Sequence, residues 1–297
     1  MASDPDDDIE DDGYDLLFES DDEKPVVPKP SPGRDYFNSN EFNSIFRCTD
    51  IQHQAILYIV SESKRLSEAA RPTILSRFQT LGFDEAVLDR VIEYIKNEAP
   101  LIIHVNLSRT LQHLIRDTHY RNQFEVLSSG GSLNPNGRVA WEDRMFNSIY
   151  HYAKPTERVK YGVLNVLNDP YGIPSCAGYG ESFLLLKNVR LRTSFASGDT
   201  ASNVKIGSCE HYLHVLNEYT PQELEETISV AIGLKPYSSA SINSIYKETQ
   251  YHGDIQLNRD VEALVVGKCH TRSSPMARLC EQFSKVHGVP LIYQSDL

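Results

Sequence analysis

The sequence predicts an α+β protein in three parts: a disordered acidic and proline-rich tail (1–40), a helical segment (41–98) and an α+β domain (99–297). Two patterns predict this division. Apolar residues recur at helical spacing before residue 98, and short β-like apolar runs with a few intervening helices follow it. The chain has 297 residues, of which 40% are hydrophobic, and is long enough for one large domain or two small ones.

The tail contains little that could enter a core. Asp and Glu dominate residues 1–24, and four prolines follow between residues 25 and 32. Proline lacks a backbone N–H and fixes φ, so this stretch is a poor candidate for helix or sheet. We expect residues 1–40 to be disordered, with the acidic run either simply solvated or used to dock a protein.

In the helical segment, the spacing of apolar residues predicts three short helices between residues 48 and 98. The first carries Ile51, Ala55 and Ile59 at helical spacing, the second lies around Phe78, and the third begins after the N-cap Asp84. With its loop at residues 81–83, the segment resembles a ubiquitin-binding three-helix module. The other interpretation is a helical brace that packs on the following domain.

From residue 100 the pattern changes to strands separated by helices. The predicted strands are residues 102–105, 123–127, 161–166, 182–186, 189–195, 244–251 and 261–266. The predicted helices are residues 107–119, 141–152, 221–233 and 275–288.

Composition excludes several classes of function. The net charge of −12 and the lack of Lys and Arg clusters argue against nucleic acid as a partner. The five cysteines are widely spaced and include no CxxC pair, so we expect free thiols and no metal site. No secretory signal or membrane-spanning apolar run is evident, and we expect a cytoplasmic protein that does not bind membranes.

Three features of the α+β domain suggest chemistry. His104 stands at the end of the first predicted strand, Ser128-Ser129-Gly130-Gly131 follows the second, and Glu248 lies on a late strand. Their order resembles the way in which ADP-ribosyltransferases bind NAD and break its glycosidic bond. Each feature also has an ordinary interpretation. His104 could be a buried structural histidine, residues 128–131 a surface loop, and Glu248 an ion-paired glutamate.

A longer series of segments strengthens this resemblance. The series runs, in order, through residues 123–131, 141–150, 161–165, 179–182, 192–200, 248–253 and 260–265. Over roughly residues 100–295 it resembles a family of bacterial domains of unknown function, and it also resembles bacterial effectors that attach ADP-ribose to a threonine of ubiquitin. One departure is Gly178-Tyr179-Gly180-Glu181-Ser182, where that series usually has Arg-Phe-Gly-Ser.

The resemblance implies a fold, a co-substrate and a partner. The fold would be an ADP-ribosyltransferase-like split β-sheet core. NAD would be the co-substrate, and a protein, with ubiquitin as the leading candidate, would accept the ADP-ribose. Cleavage of the nicotinamide–ribose bond passes through an oxocarbenium-like state, which a carboxylate beneath the ribose stabilises. Glu248 is the predicted catalytic carboxylate, and Gln250, two residues later, is predicted to orient the acceptor.

The same resemblance assigns the residues that would bind NAD. His104 and Asn106, which strand alternation places on one face, would contact the adenosine ribose or the pyrophosphate. Ser128 and Ser129 would bind the nicotinamide and its ribose, and Gly130 would relieve crowding. The ring that stacks on nicotinamide would be that of Tyr161, Tyr179 or Phe124.

Two alternatives remain beside a protein-directed mono-ADP-ribosyltransferase. One is an NAD glycohydrolase, which needs no acceptor surface. The other is a catalytically inactive module that binds NAD or a protein. The sequence contains no Walker A loop, GxGxxG, GxSxG or HExxH motif that would favour a different chemistry.

Removal of the tail tests the first boundary. A chain that starts at Arg34 should melt within about 2 °C of the full chain, because an acidic, proline-rich segment buries too little apolar surface to stabilise a core. Thermal unfolding of the two chains side by side measures the difference. A much larger fall in Tm would show that the tail is part of the folded unit.

Overall fold

The computed structural model of the chain describes residues 39–127, 134–239 and 246–297. Almost all of the predicted tail, the residues Ser128, Ser129 and Gly130, and the start of the predicted strand 244–251 lie outside the described residues. The predicted tail extends slightly too far, because the first helix begins at Ser39.

Helices and strands are interspersed along the described chain. The helices are α1 Ser39–Ile45, α2 Asp50–Thr80, α3 Glu85–Asn97, α4 Leu107–Arg116, α5 Gln123–Val126, α6 Pro135–Met145, α7 Leu213–Leu216, α8 Pro221–Ala231, α9 Leu257–Asp260 and α10 Pro275–His287. The strands are β1 Leu101–Val105, β2 His119–Tyr120, β3 Lys160–Leu164, β4 Ser182–Leu186, β5 Thr193–Ala196, β6 Ile206–Ser208, β7 Glu248–Tyr251, β8 Ile255–Gln256, β9 Val261–Val266 and β10 Leu291–Tyr293. Short 3-10 turns lie at Pro155–Glu157, Pro174–Tyr179, Arg190–Arg192 and Gln294–Asp296.

Eight of the described strands form one mixed sheet, in the order β10-β9-β4-β1-β3-β7-β5-β6, and β2 pairs with β8 apart from it. β10 and β9 are parallel, and the other neighbours in the large sheet are antiparallel. The fold is therefore a mixture of helices and one large mixed sheet, as the α+β prediction requires. Its finer form, a split core of the ADP-ribosyltransferase type, stays a prediction.

The helical segment differs from its prediction at one point. Residues 50–80 form the single helix α2 and not two short helices, and the chain continues helically through Pro72. The apolar pattern fails in the middle of α2 because two of its buried positions are serines. Ser63 hydrogen-bonds Ser208 at 3.2 Å, and Ser67 hydrogen-bonds His214 at 2.9 Å. The predicted N-cap of α3 is confirmed, since the Asp84 carboxylate accepts from the Val87 N–H at 3.0 Å.

The strand predicted for residues 123–127 is wrong, because α5 forms there. The Asn122 side chain accepts from the N–H groups of Phe124 and Glu125, and the Glu125 carboxylate accepts from the Asn122 N–H at 2.9 Å. This reciprocal capping box favours a helical turn over an extended strand. Two other predicted elements have different bounds. The helix predicted at 141–152 lies earlier, at Pro135–Met145, and the strand predicted at 189–195 is a 3-10 turn at Arg190–Arg192 followed by β5.

The helical segment and the sheet share one hydrophobic core. Ile74 and Phe78 from α2 and Leu88 from α3 belong to the same buried cluster as Leu101 of β1 and Leu264 of β9. The other face of the sheet carries a smaller cluster around Ile102, Val163, Phe183 and Leu185. Among the described helices, none is both long enough and apolar enough to cross a membrane.

This shared core predicts a cooperative response to a cavity in α2. Phe78 has no exposed surface, so Phe78→Ala should lower the free energy of unfolding by about 3–5 kcal/mol. Leu57→Ala, on the same helix at 67% exposure, is the control and should change it little. Denaturant unfolding followed by circular dichroism and by Trp141 fluorescence measures both. If Phe78→Ala splits the transition into two steps, the helices and the sheet are separate folding units.

Candidate active site

A cavity of about 800 Å³ opens on the face of the sheet that carries the smaller cluster. Its size falls in the range of ligand sites in proteins, about 300–1,000 Å³. Polar and aromatic side chains converge on it from β1, α4, α5, α6, β3, β7 and the loop before β6. The lining includes His104, Asn106, Arg109, His113, Asp117, Arg121, Glu125, Val126, Arg138, Trp141, Tyr161, Cys176, Tyr179, Asp199, Thr200, Tyr246 and Glu248.

The sheet register places Glu248 at the wall of this cavity. Residues paired across strands share a face of the sheet. Ala263, Leu185, Ile102, Val163 and Glu248 are such partners in turn, and they form one row across β9, β4, β1, β3 and β7. Four members of the row are apolar. Glu248 therefore stands as the carboxylate at the end of an otherwise apolar row.

Three side chains hydrogen-bond the Glu248 carboxylate. The Thr200 hydroxyl donates to Oε1, and the Gln250 amide donates to the same oxygen at 3.0 Å. The Tyr246 hydroxyl donates to Oε2 at 3.0 Å. A buried carboxylate needs such partners, since an unpaired charge in an apolar setting is costly. The arrangement fixes both oxygens of Glu248 in one orientation at the cavity.

Glu248 is nevertheless destabilised as an anion. Only 6% of the residue is exposed, and this burial, together with the nearby Asp199 charge, raises its pKa to about 7, although the hydrogen bonds from Thr200, Tyr246 and Gln250 oppose the shift. Carboxylates tuned in this way are common in active sites, where a group must exchange protons or balance charge near neutral pH.

The loop between β5 and β6 brings Thr200 to Glu248. Asp199 begins a turn in which its carboxylate accepts from the Ala201 N–H at 2.8 Å. Arg144 of α6 donates to the carbonyls of Thr200 at 2.7 Å and Ser202 at 2.9 Å. Helix α6 therefore fixes the loop that fixes the carboxylate.

His104 lies in the cavity wall but its ring nitrogens are already used. Nδ1 donates to the Gly180 carbonyl at 2.7 Å, and Nε2 accepts from the Ile173 N–H at 3.0 Å. Burial lowers the pKa of His104, which favours this neutral form. The predicted hydrogen bond from His104 to NAD is therefore not available in this arrangement, and the ring instead pins the loop at residues 172–180 to β1.

Two glycines make this pinning possible. Gly172 and Gly180 have φ of +82° and +125°, a region that favours glycine. A Cβ on Gly172 would lie 2.7 Å from the His104 ring, and a Cβ on Gly180 would lie 2.2 Å from the Val105 carbonyl. The close approach holds Tyr179 and Cys176 at the cavity.

The first turn of α4 also faces the cavity. Asn106 is the N-cap of α4 and not a strand residue, so the predicted strand alternation with His104 does not apply, although both residues line the same cavity. The Asn106 side chain makes no capping hydrogen bond among the described residues. Arg109, exposed on the first turn, adds a positive charge beside the N–H groups at the helix start. This is an arrangement suited to an anionic group.

Aromatic rings supply the apolar walls. Tyr161, Tyr179, Tyr246 and Trp141 line the cavity, and the Arg138 guanidinium lies over the rings of Tyr161 at 5.1 Å and Trp141 at 5.5 Å. Phe124, the third predicted stacking ring, lies instead under the Arg158 guanidinium at 4.6 Å.

Gln250 occupies a different position from the one predicted. Its side chain has no exposed surface and contacts Glu248 and Ser194, with Ser194 Oγ donating to Gln250 Oε1 at 2.9 Å. A buried amide cannot touch a protein acceptor, so the predicted acceptor-orienting role does not fit this position. The predicted Ser128, Ser129 and Gly130 lie outside the described residues.

Sequence reasoning missed Thr200, Tyr246 and Arg138. Tyr246 could have been found, because it lies two residues before Glu248 and alternation along the predicted strand 244–251 would place both on one face. No local pattern marks Thr200, which is separated from Glu248 by 48 residues.

Cys176 is buried at the cavity, and burial raises its pKa to about 12, so it is a poor nucleophile there. The described residues contain no group of His, Cys, Asp and Glu that could hold a metal ion.

Residues 101–238 match a family described as "Protein of unknown function (DUF3626)". The predicted resemblance to a family of domains of unknown function is thus confirmed for this part of the chain, which includes His104, Asn106 and Tyr161 but ends before Glu248. No curated protein matches the chain. The link to effectors that modify ubiquitin stays a prediction.

The raised pKa of Glu248 predicts a pH-dependent stability difference. The pKa of the Glu248 carboxyl is about 4.5 in the unfolded chain and about 7 in the folded protein. Protonation of this group therefore stabilises the folded state fully below pH 4.5, and this stabilisation is lost as the pH rises through 7. Glu248→Gln removes the charge, and its amide can accept from Thr200 and donate to Tyr246. The variant should therefore be more stable than wild type at pH 8, on the order of 1–3 kcal/mol, and similar to it at pH 5.

Denaturant unfolding at the two pH values measures this difference. The exposed Glu225→Gln on α8 is the control and should show no such dependence. Equal stabilities of Glu248→Gln and wild type at pH 8 would mean that the buried carboxylate is not destabilised.

Proposed function

We propose that this chain is a mono-ADP-ribosyltransferase that cleaves NAD and transfers ADP-ribose to a protein acceptor, with ubiquitin as the leading candidate. The observation that carries the proposal is the buried, triply hydrogen-bonded Glu248 at the wall of a cavity of about 800 Å³. The acceptor class rests on the resemblance of the sequence to effectors that modify ubiquitin. The proposal also includes an ADP-ribosyltransferase-like core and a cytoplasmic location.

The chemistry requires one carboxylate near the reacting carbon. The bond between C1′ of the ribose and the nicotinamide nitrogen breaks, and nicotinamide leaves with the electron pair. Positive charge then develops on C1′ and the ring oxygen, and the ionised Glu248 would stabilise it. The acceptor oxygen bonds to C1′, and its proton passes to water or to a base. The hydrogen bonds from Thr200, Tyr246 and Gln250 hold Glu248 in place before the charge develops.

The rest of the cavity suits the other parts of NAD. The first turn of α4, with Asn106 and Arg109, would bind the pyrophosphate. Tyr161 and Tyr179 line the cavity and would stack on nicotinamide, because a positively charged nicotinamide ring is attracted to an aromatic face. Ser128, Ser129 and Gly130 keep their predicted roles toward nicotinamide and its ribose.

A protein acceptor is supported by the rim of the cavity. Val126 lines the cavity and is 47% exposed, and its neighbour Leu127 is 72% exposed. Exposed apolar side chains beside a charged cleft are available to pack on a protein surface.

The alternative is an NAD glycohydrolase, in which water attacks C1′ in place of the acceptor. One observation favours it. Gln250, two residues beyond the key glutamate, is buried and holds Glu248, so it cannot orient an acceptor. A catalytically inactive module that binds NAD or a protein is the outcome if no NAD is consumed.

Labelled NAD separates these functions. Purified protein is incubated with NAD labelled on the adenine ribose, alone, with ubiquitin and with cell extract. Label transferred to ubiquitin or to an extract protein supports the transferase, and release of free ADP-ribose without an acceptor supports the glycohydrolase. If NAD binds but is not turned over under any of these conditions, the chain is the inactive module. If NAD neither binds nor is turned over, NAD is rejected as the ligand.

Glu248→Gln tests the catalytic role. Turnover should fall by about 10²–10³, because an amide cannot balance the developing positive charge. NAD binding, measured as a shift in Tm, should persist, since Gln keeps the size and can still accept a hydrogen bond from a ribose hydroxyl. For wild type, kcat/KM should rise with pH through about 7, as Glu248 ionises.

The control is Glu225→Gln, the same substitution at an exposed position on α8, which should turn over like wild type. Normal turnover by Glu248→Gln would assign the chemistry to another carboxylate. Of those that line the cavity, Glu125 and Asp199 would be examined next.

A further inference from the structure

A line of buried polar side chains runs through the sheet beneath Glu248. Gln250 Nε2 donates to Glu248 Oε1 at 3.0 Å, and Ser194 Oγ lies 2.9 Å from Gln250 Oε1. His252 Nε2 lies 3.3 Å from Ser194 Oγ, and the Tyr150 hydroxyl lies 2.7 Å from His252 Nδ1. Glu248 is 6% exposed and the other four residues are each at most 1% exposed. The line thus joins β7, β5 and the turn after α6.

The carboxylate fixes the direction of every hydrogen bond in this line. An ionised Glu248 only accepts, so the Gln250 amide must present its NH₂ group to it. Gln250 Oε1 then only accepts, and Ser194 must give it its one proton. Ser194 Oγ therefore accepts from His252 Nε2–H. The neutral ring accepts at Nδ1, and Tyr150 is the donor there.

The surroundings keep His252 neutral, as this direction requires. Its ring packs between buried aromatic side chains, 5.2 Å from the Phe146 ring and 5.9 Å from the Tyr150 ring. Burial and the nearby charges of Arg192 and Lys160 lower its pKa to about 3. His252 thus acts as a fixed donor and acceptor across the physiological pH range.

We propose that Tyr150, His252 and Ser194 are positioning residues, which act through the Gln250 amide to hold Glu248 in its catalytic orientation. This inference rests on the proposed function for its effect on turnover. Without the Ser194 hydroxyl, the Gln250 amide oxygen loses a hydrogen bond that holds the amide in the orientation the carboxylate requires. A flipped amide would turn a carbonyl oxygen toward Glu248 and repel the carboxylate. The line supplies orientation and does not itself contact the substrate.

A purely structural role makes a different prediction. Buried polar groups need hydrogen bonds for stability alone, and loss of one costs about 1–3 kcal/mol wherever it lies. The chain contains a matched comparison. Ser67 on α2 hydrogen-bonds His214 Nδ1 at 2.9 Å, and both residues are buried and lie outside the line to Glu248. Ser67→Ala and Ser194→Ala therefore remove the same hydroxyl from the same type of pair.

The experiment compares Ser194→Ala, Gln250→Met and the double variant with Ser67→Ala in the full chain. Ser194→Ala should lower kcat about tenfold and change KM less than about twofold, because a displaced catalytic group slows the reaction more than it weakens binding. The double variant should be no slower than Gln250→Met alone, since both changes act through one amide. Ser67→Ala should keep the wild-type kcat. A kcat for Ser194→Ala equal to that of Ser67→Ala would overturn the proposal.

A second readout does not depend on turnover. The pKa of Glu248 is measured by NMR on protein labelled with ¹³C at the glutamate carboxyl carbons, without NAD, and Glu248→Gln identifies the signal. The Gln250 hydrogen bond lowers this pKa in the wild type. Gln250→Met and Ser194→Ala should therefore both raise it, and Ser67→Ala should leave it unchanged. An unchanged pKa in Ser194→Ala would overturn the proposal even in a protein that does not cleave NAD.

Tyr150→Phe provides a milder change at the far end of the line. It keeps the buried ring and removes only the hydroxyl that selects the His252 tautomer. If Ser194→Ala does not fold, Tyr150→Phe should shift the Glu248 signal in the same direction by a smaller amount. No shift in Tyr150→Phe would then count against the line.

Discussion

Burial of the Glu248 carboxylate is the constraint on which the arrangement of the site depends. A carboxylate at 6% exposure beside an apolar row of side chains must receive hydrogen bonds or lose its charge. Thr200, Tyr246 and Gln250 supply them, and each comes from a segment that must itself be held. Arg144 holds the loop of Thr200, and Ser194 holds Gln250. Much of the polar structure within the sheet can be understood as support for one charge.

Buried ion pairs tie the sheet to its surroundings in a similar way. Lys247, next to Glu248, pairs with Glu223 of α8 at 2.8 Å, and Arg192 before β5 pairs with Asp260 of α9 at 3.2 Å. Such pairs add little net stability relative to apolar packing, but loss of one partner leaves a buried charge. These pairs therefore restrict where α8 and α9 can pack against the sheet. Movement of α8 or α9 away from the sheet would therefore leave a buried charge unpaired.

Local patterns were sufficient to predict the apolar strands and the capped helices. The bounds of β4 and β9 match their predictions, and Asp84 caps α3 as expected. The errors have physical causes. Asn122 and Glu125 form a capping box, which turns a β-like run into a helix, and β6, with Gly207 at its centre, is too short for its pattern to show.

The site was predictable only in part. Glu248, Asn106, His104 and Tyr161 do line one cavity, because strand order and register bring them together. Their roles depend on contacts between distant segments, which periodicity does not encode. His104 is bound on both sides by the loop at residues 173–180, and Gln250 is covered by Ser194. Thr200 meets Glu248 only through the fold.

The distribution of thiols makes the protein convenient for spectroscopy. Cys48, Cys176, Cys209 and Cys280 are buried, whereas Cys269 is exposed. A maleimide dye or a nitroxide should therefore attach at Cys269 without removal of the other cysteines. The Cys269 N–H lies 3.4 Å from the Glu181 carboxylate, and Glu181 follows Gly180, to which His104 is hydrogen-bonded. A probe at this position would report in real time whether the loop pinned by His104 moves when a ligand enters the cavity.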